Sequence, residues 1–143
     1  MIKNPKQTIF YSIEKTIKEY RKFAVKNIQK KFNDLTIDQA LLIQFLNNNP
    51  SLSQREIAEL IFKDNASVTR MIELMVKKKY LKRSVDEKDR RKYKIELTPN
   101  IQKKLIELSK IISSNREIAL KKITNIEIEN LESTLLKIVE NCK

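Results

Sequence analysis

One segment breaks a pattern that the rest of the chain keeps. Apolar residues elsewhere recur at three and four positions, but Tyr93, Ile95 and Leu97 alternate with single polar residues and stop at Thr98-Pro99. Alternation of this kind reads as a short strand, and Pro99 marks its end. Directly ahead lies "KRSVDEKDRRK", a dense run of mixed charge. Leu81–Arg83 and Lys92–Leu97 therefore read as two short strands joined by a charged loop. What surrounds this hairpin decides what the arginines in it are for.

The chain before it is helical by pattern. Ile9, Ile13, Ile17, Tyr20, Ala24 and Ile28 place one apolar stripe on a helix from about Gln7 to Lys31. A helix this long in a small domain packs against a partner. "LTIDQALLIQFLNNNP" opens with the capping box Thr36–Gln39 and turns Leu41, Leu42, Phe45 and Leu46 inward. "SLSQREIAELIF" starts again with the capping box Ser53–Glu56, and Ile57, Ala58, Leu60 and Ile61 form its apolar face. A third helix follows Asp64 as N-cap, with Val68, Ile72, Met75 and Val76 on one side. The order is helix, short helix, turn, helix, hairpin, which is a winged helix-turn-helix.

After Pro99 the helical pattern returns. A single long helix is expected to carry Ile101, Leu105, Leu108 and Ile112, with Ile118 and Ile123 further on. A last helix from about Asn125 carries Ile128, Leu131, Leu135, Ile138 and Cys142. At 143 residues this is one domain. Its fold class is mainly α with a small β-hairpin wing.

Composition narrows the function. The formal net charge is +12, which suits a polyanionic partner. Phe62–Lys94 alone holds twelve basic and five acidic residues, whereas Thr124–Lys143 holds two and four. The positive charge thus collects on the third helix and the hairpin. The chain has no His, no Gly and one Cys. These absences rule out His-based triads, His and Cys-cluster metal sites, Walker A loops and dinucleotide fingerprints. We expect a protein that is not an enzyme and needs no cofactor or metal. No apolar run reaches the ~18 residues of a membrane span, and "MIKNPKQTIF" lacks a signal-peptide core. A cytoplasmic protein without membrane attachment is expected.

Three pieces together resemble the multiple antibiotic resistance regulator (MarR) family of transcription factors. "LTIDQALLIQFL" resembles the helix before its helix-turn-helix. "IAELIFKDNASVTRMIELMVKKKYLKR" resembles the helix-turn-helix itself. "RSVDEKDRRKYKIELTP" resembles the wing, with Arg83, Asp86, the Asp89-Arg90-Arg91 triplet and Leu97-Thr98 in the family's spacing. The resemblance implies a DNA-binding lobe over residues 35–99, with dimerisation helices over 1–34 and 100–143. Where the family often has glycine, this chain has Phe62, Lys79 and Asn100. A left-handed Lys79 would cost roughly 1 kcal/mol relative to Gly.

The roles implied are specific. The third helix is expected in the major groove, with Asn65, Ala66, Ser67 and Arg70 toward the bases and Thr69 toward a phosphate. Arg90 and Arg91 at the wing tip are expected to reach an adjacent minor groove, where narrow A·T tracts attract arginine. One of the two meets DNA, with Arg90 favoured, and the other supports the loop. Arg83, Asp86 and Asp89 are expected to shape the wing through salt bridges. The function implied is a homodimeric regulator of a pseudo-palindromic operator on double-stranded DNA, a repressor relieved by a small-molecule effector. The alternative is a winged-helix module that binds another protein and not DNA. Cys142 sits at a helix end, where a partly buried or fraying thiol is favoured over a redox switch.

Overall fold

The computed structural model describes residues 4–143, so the first three residues of the expected 1–34 helical segment lie outside the described residues. After a 3-10 turn at Pro5–Gln7, helix α1 spans Ile9–Gln29, α2 Ile37–Asn48, α3 Gln54–Leu60 and α4 Asn65–Lys77. Strand β1, Leu81–Val85, pairs antiparallel with β2, Tyr93–Leu97, in a register that sets Leu81 against Leu97 and Val85 against Tyr93. Helices α5, Pro99–Gln102, α6, Leu105–Ala119, and α7, Asn125–Asn141, complete the chain. This is a mainly helical winged helix-turn-helix with a two-strand wing.

Local chemistry explains most of the starts. The Thr36 hydroxyl accepts the Gln39 amide while the Gln39 side chain accepts the Thr36 amide, and Ser53 with Glu56 repeats the arrangement on α3. Thr124 and Glu127 build a third such box on α7. Each satisfies two amides that the first helical turn leaves unpaired.

The expected long helix after Pro99 is broken. Residues 103–104 form a turn between α5 and α6, although neither is Pro or Gly. Thr98 Oγ1 donates to the Lys79 carbonyl at 2.6 Å, and Asn100 Nδ2 approaches the same oxygen at 3.5 Å. The short α5 is thereby tied to the start of the wing, and α6 is free to run along α1.

The core lies in the winged lobe and at its junction with α1 and α6. Leu35, Leu42, Ile43, Ile57, Val68 and Ile72 are wholly enclosed, and Ile95, Ile101 and Leu108 close it from the other side. On α4, Met71 joins Val68, Ile72 and Met75 on the buried face. Val76, expected there, is 37% exposed because the helix turns it past the core edge. Leu60 is likewise at the rim of α3. In α1 only Ala24 and Ile28 are buried, so the N-terminal half of the expected stripe lies open. Helix α7 has no buried residue.

Among the described residues, three non-glycine residues have left-handed backbones: Phe62 (φ 60°), Lys79 (φ 65°) and Lys122 (φ 66°). Two fall where the family often has glycine, between α3 and α4 and after α4. Asn100, the third such position, is not left-handed, because it lies within α5. Lys122 breaks the chain between α6 and α7. Each costs on the order of 1 kcal/mol relative to Gly.

Candidate nucleic-acid interface

Helix α4 presents its first two turns to solvent. Asn65, Ala66 and Arg70 are exposed, Ser67 is half-buried, and the opposite face is closed by Val68, Met71, Ile72 and Met75. Asp64 starts the helix by accepting the Ser67 amide at 2.8 Å and the Ser67 hydroxyl at 2.9 Å. These two bonds from Ser67 hold the Asp64 carboxyl below its ordinary range. Arg70 Nη2 then donates to Ser67 Oγ at 3.3 Å. Asp64, Ser67 and Arg70 form a chain along one helix edge that orders the guanidinium before any ligand arrives.

Thr69 is half-buried and bonded on both sides. Its hydroxyl donates to the Asn65 carbonyl at 2.8 Å and accepts Gln54 Nε2 at 2.6 Å. The hydroxyl thus joins α3 to α4. Gln54 is the residue that sequence reasoning missed. Its partner lies fifteen positions away, and no local pattern reports such a bond.

The wing is ordered by short-range contacts. Asp86 Oδ1 accepts the Lys88 amide at 2.8 Å, and the Asp86 amide donates to the Lys92 carbonyl at 3.0 Å. Asp89 Oδ1 accepts the Arg91 amide at 3.1 Å and pairs with Arg91 Nε at 3.4 Å. Arg83 stacks over the Tyr93 ring, 4.4 Å from its centroid. Of the three expected salt-bridging residues, only Asp89 makes an ion pair among the described residues. Arg83 leans across the hairpin to an aromatic face instead, and the Asp86 carboxylate accepts one backbone amide, that of Lys88. Arg90 is exposed and has no ion pair among the described residues.

Two further contacts bear on α4. Asp38 accepts Arg21 Nη2 at 2.7 Å and Lys63 Nζ at 3.2 Å. Burial opposes its ionisation, but the two cations outweigh that and hold its carboxyl below the usual range. The Tyr80 hydroxyl donates to Asp34 Oδ1 at 2.6 Å, and burial followed by this bond pushes the phenol up to about 12.

Away from this face, a cavity of about 200 Å³ lies between α1, α2 and α6. Ile17, Tyr20, Ala24, Leu41 and Ile112 line it, with Arg21, Gln44, Asn115 and Arg116 among its polar groups. Asn115 is buried, donates to the Ala24 carbonyl at 3.2 Å and accepts Asn27 Nδ2 at 2.8 Å, which fixes α6 against α1. Cys142 is exposed at the end of α7. None of the described helices is long and apolar enough to cross a membrane.

With this geometry in hand, the likeness to known proteins is informative. Residues 33–92, the helix-turn-helix and most of the wing, match the model of the MarR family. The chain is 27% identical over 137 residues to the HTH-type transcriptional regulator SarZ of Staphylococcus aureus, covering 93% of this chain and 88% of that protein. Its fold superposes on S. aureus MepR in a MepR–DNA complex with a TM-score of 0.84, at 20% identity, over 98% of this chain and all of that one. It superposes equally on Bordetella bronchiseptica BpsR, whose DNA binding is regulated by 6-hydroxynicotinic acid, with a TM-score of 0.84 at 19% identity, over 97% and 98% of the two chains.

Proposed function

We propose that this MarR-type transcriptional regulator is a homodimer that binds a pseudo-palindromic operator through α4 and the wing. The observation that carries the reading is the first turns of α4. They expose Asn65, Ala66 and an Arg70 already oriented by Ser67, on a helix whose other side is wholly packed. Asn and Arg suit bidentate bonds to adenine and guanine edges in a major groove. The wing adds Arg90, without an ion pair among the described residues, and Arg91, which Asp89 restrains. Arg90 is accordingly the arginine we assign to the minor groove, with Arg91 supporting the loop. Residues 35–99 then form the DNA-binding lobe.

The flanking segments, 1–34 and 100–143, supply the dimer. A capped helix of 17 residues that buries none of them within its own chain calls for a partner, and so does the open half of α1. Two copies would set two recognition helices about one DNA turn apart or more. The cavity beside Arg21 and Arg116 suits a small effector whose binding relieves repression. Its walls belong to α1 and α6 on one side and α2 on the other, so an occupant would bear on how the lobe sits against the dimer helices.

A second reading, a winged-helix module for another protein, draws on Phe62, which is 94% exposed at the turn before α4. One experiment separates the two. The purified protein is offered a random-sequence duplex pool, and enriched duplexes are compared with scrambled ones by fluorescence anisotropy. Enrichment of an inverted repeat supports the operator reading. Equal, weak binding to every duplex overturns it and favours the protein-binding module.

A further inference from the structure

The recognition helix is held at both ends by a segment outside the helix-turn-helix. Ahead of α4, Lys63 donates to Asp38 Oδ2 at 3.2 Å, and the other oxygen of Asp38 takes Arg21 of α1 at 2.7 Å. Behind α4, the Tyr80 hydroxyl reaches Asp34 Oδ1 at 2.6 Å, and the Lys78 ammonium donates to the Asp34 carbonyl. Lys78 is the C-cap of α4. Asp34 and Asp38 stand four positions apart, on either side of the first residue of α2, just after α1 ends.

The Asp38 contacts are partly buried, whereas Asp34 and its bond to Lys78 are exposed. The Asp38 side chain is 18% exposed, and Arg21 and Lys63 are 39% and 37% exposed. Partial burial reduces the screening that makes exposed pairs weak. Asp38 also receives both cations at once, so it fixes the turn before α4 and a point on α1 relative to each other.

We infer that Asp34 and Asp38 form a two-point mount that sets the angle between the recognition helix and α1, with Asp38 the principal positioning residue. The inference rests on the operator reading of α4 given above. In a dimer built on α1, that angle fixes the separation of the two recognition helices. Moving one half-site by a base pair displaces it by roughly 3.4 Å and rotates it by roughly 35°. A mount of this kind therefore acts on the spacing between half-sites and not on the bases within them. The bond from Gln54 to Thr69 complements it by holding α4 to α3 inside the lobe.

The test uses the full chain and a duplex that the parent protein selects from a random-sequence pool. A second duplex carries one extra base pair between the half-sites. Asp38→Asn and Lys63→Met should each weaken binding to the selected duplex about tenfold while weakening the expanded duplex much less. The ratio of the two affinities should narrow, and the double variant should lose little beyond the larger single loss. Destabilisation alone would not narrow that ratio. A parent-like ratio in both variants, or equal loss on both duplexes, overturns the mount.

Spin labels decide the same point without DNA. They are placed at Lys18→Cys on α1 and Lys77→Cys on α4, in a Cys142→Ser background, with the labelled chain diluted in unlabelled chain. Asp38→Asn should broaden the distance distribution, and an unchanged distribution overturns the mount even where operator binding is confirmed. A parent that selects no duplex overturns the operator reading of α4, while the label distances still decide the mount.

Discussion

The winged lobe and the terminal helices use the same apolar residues in opposite ways. In the lobe Leu35, Leu42, Ile57 and Ile72 are sealed, and short capped helices close around them. Outside it, Ile9, Ile126 and Leu136 are 60%, 70% and 65% exposed on helices at least as regular. Both regions show the three-and-four spacing of an amphipathic helix. The contrast teaches that periodicity reports a face and is silent on what covers it. In the lobe the cover is the same chain, and on α7 we assign it to a second copy.

The contrast can be broken most forcefully from the lobe side. Ile72→Ala should lower the unfolding free energy by about 2–5 kcal/mol, because a sealed site cannot collapse around the lost atoms. Urea denaturation measures it, and a loss under about 0.5 kcal/mol would mean that the lobe is not the self-sufficient part. The matching change on α7 should act on assembly. With Leu136→Lys, sedimentation at micromolar concentration should fall from about twice 16.9 kDa toward the single chain, with the lobe still folded by circular dichroism. A parent that sediments as a single chain would remove the dimer and the palindromic operator together.

Within the lobe, Arg70→Ala should reduce discrimination between selected and scrambled duplexes by roughly 1–3 kcal/mol. Equal loss on both would make Arg70 a phosphate contact. A smaller effect sharpens the comparison at the backbone. Lys79→Gly should raise stability by up to about 1 kcal/mol, since the left-handed site penalises any Cβ. An unchanged melting temperature would mean that the Lys79 side chain makes up the difference.

The sequence made the local features legible. Thr36, Ser53 and Asp64 begin helices because their oxygens reach amides three residues on, and the wing alternation needs no distant partner. What it hid was long-range. Thr98 ties the start of α5 to the Lys79 carbonyl, and the Thr69 hydroxyl accepts from Gln54. Arg83 had two acids within reach in sequence but lies across the hairpin from Tyr93, and the ring holds it. Asp34 and Asp38 look like ordinary surface acids until α4 is folded against them. Neighbours in sequence constrain such side chains weakly, because partners from other elements compete for the same atoms.

The claim that the exposed face of α4 and the wing bind DNA is tested most directly by salt. Affinity for the selected duplex is measured by anisotropy across a salt series, for the parent and for the Arg90→Ala, Arg91→Ala double variant. Each lost phosphate neutralisation should flatten the slope of log K against log salt by about 0.9. The variant should also melt within a few degrees of the parent, since exposed substitutions usually cost under about 0.5 kcal/mol. A weaker and flatter binding curve from a folded, dimeric variant is the expected result. Parent-like affinity at every salt concentration would show that the wing does not touch DNA.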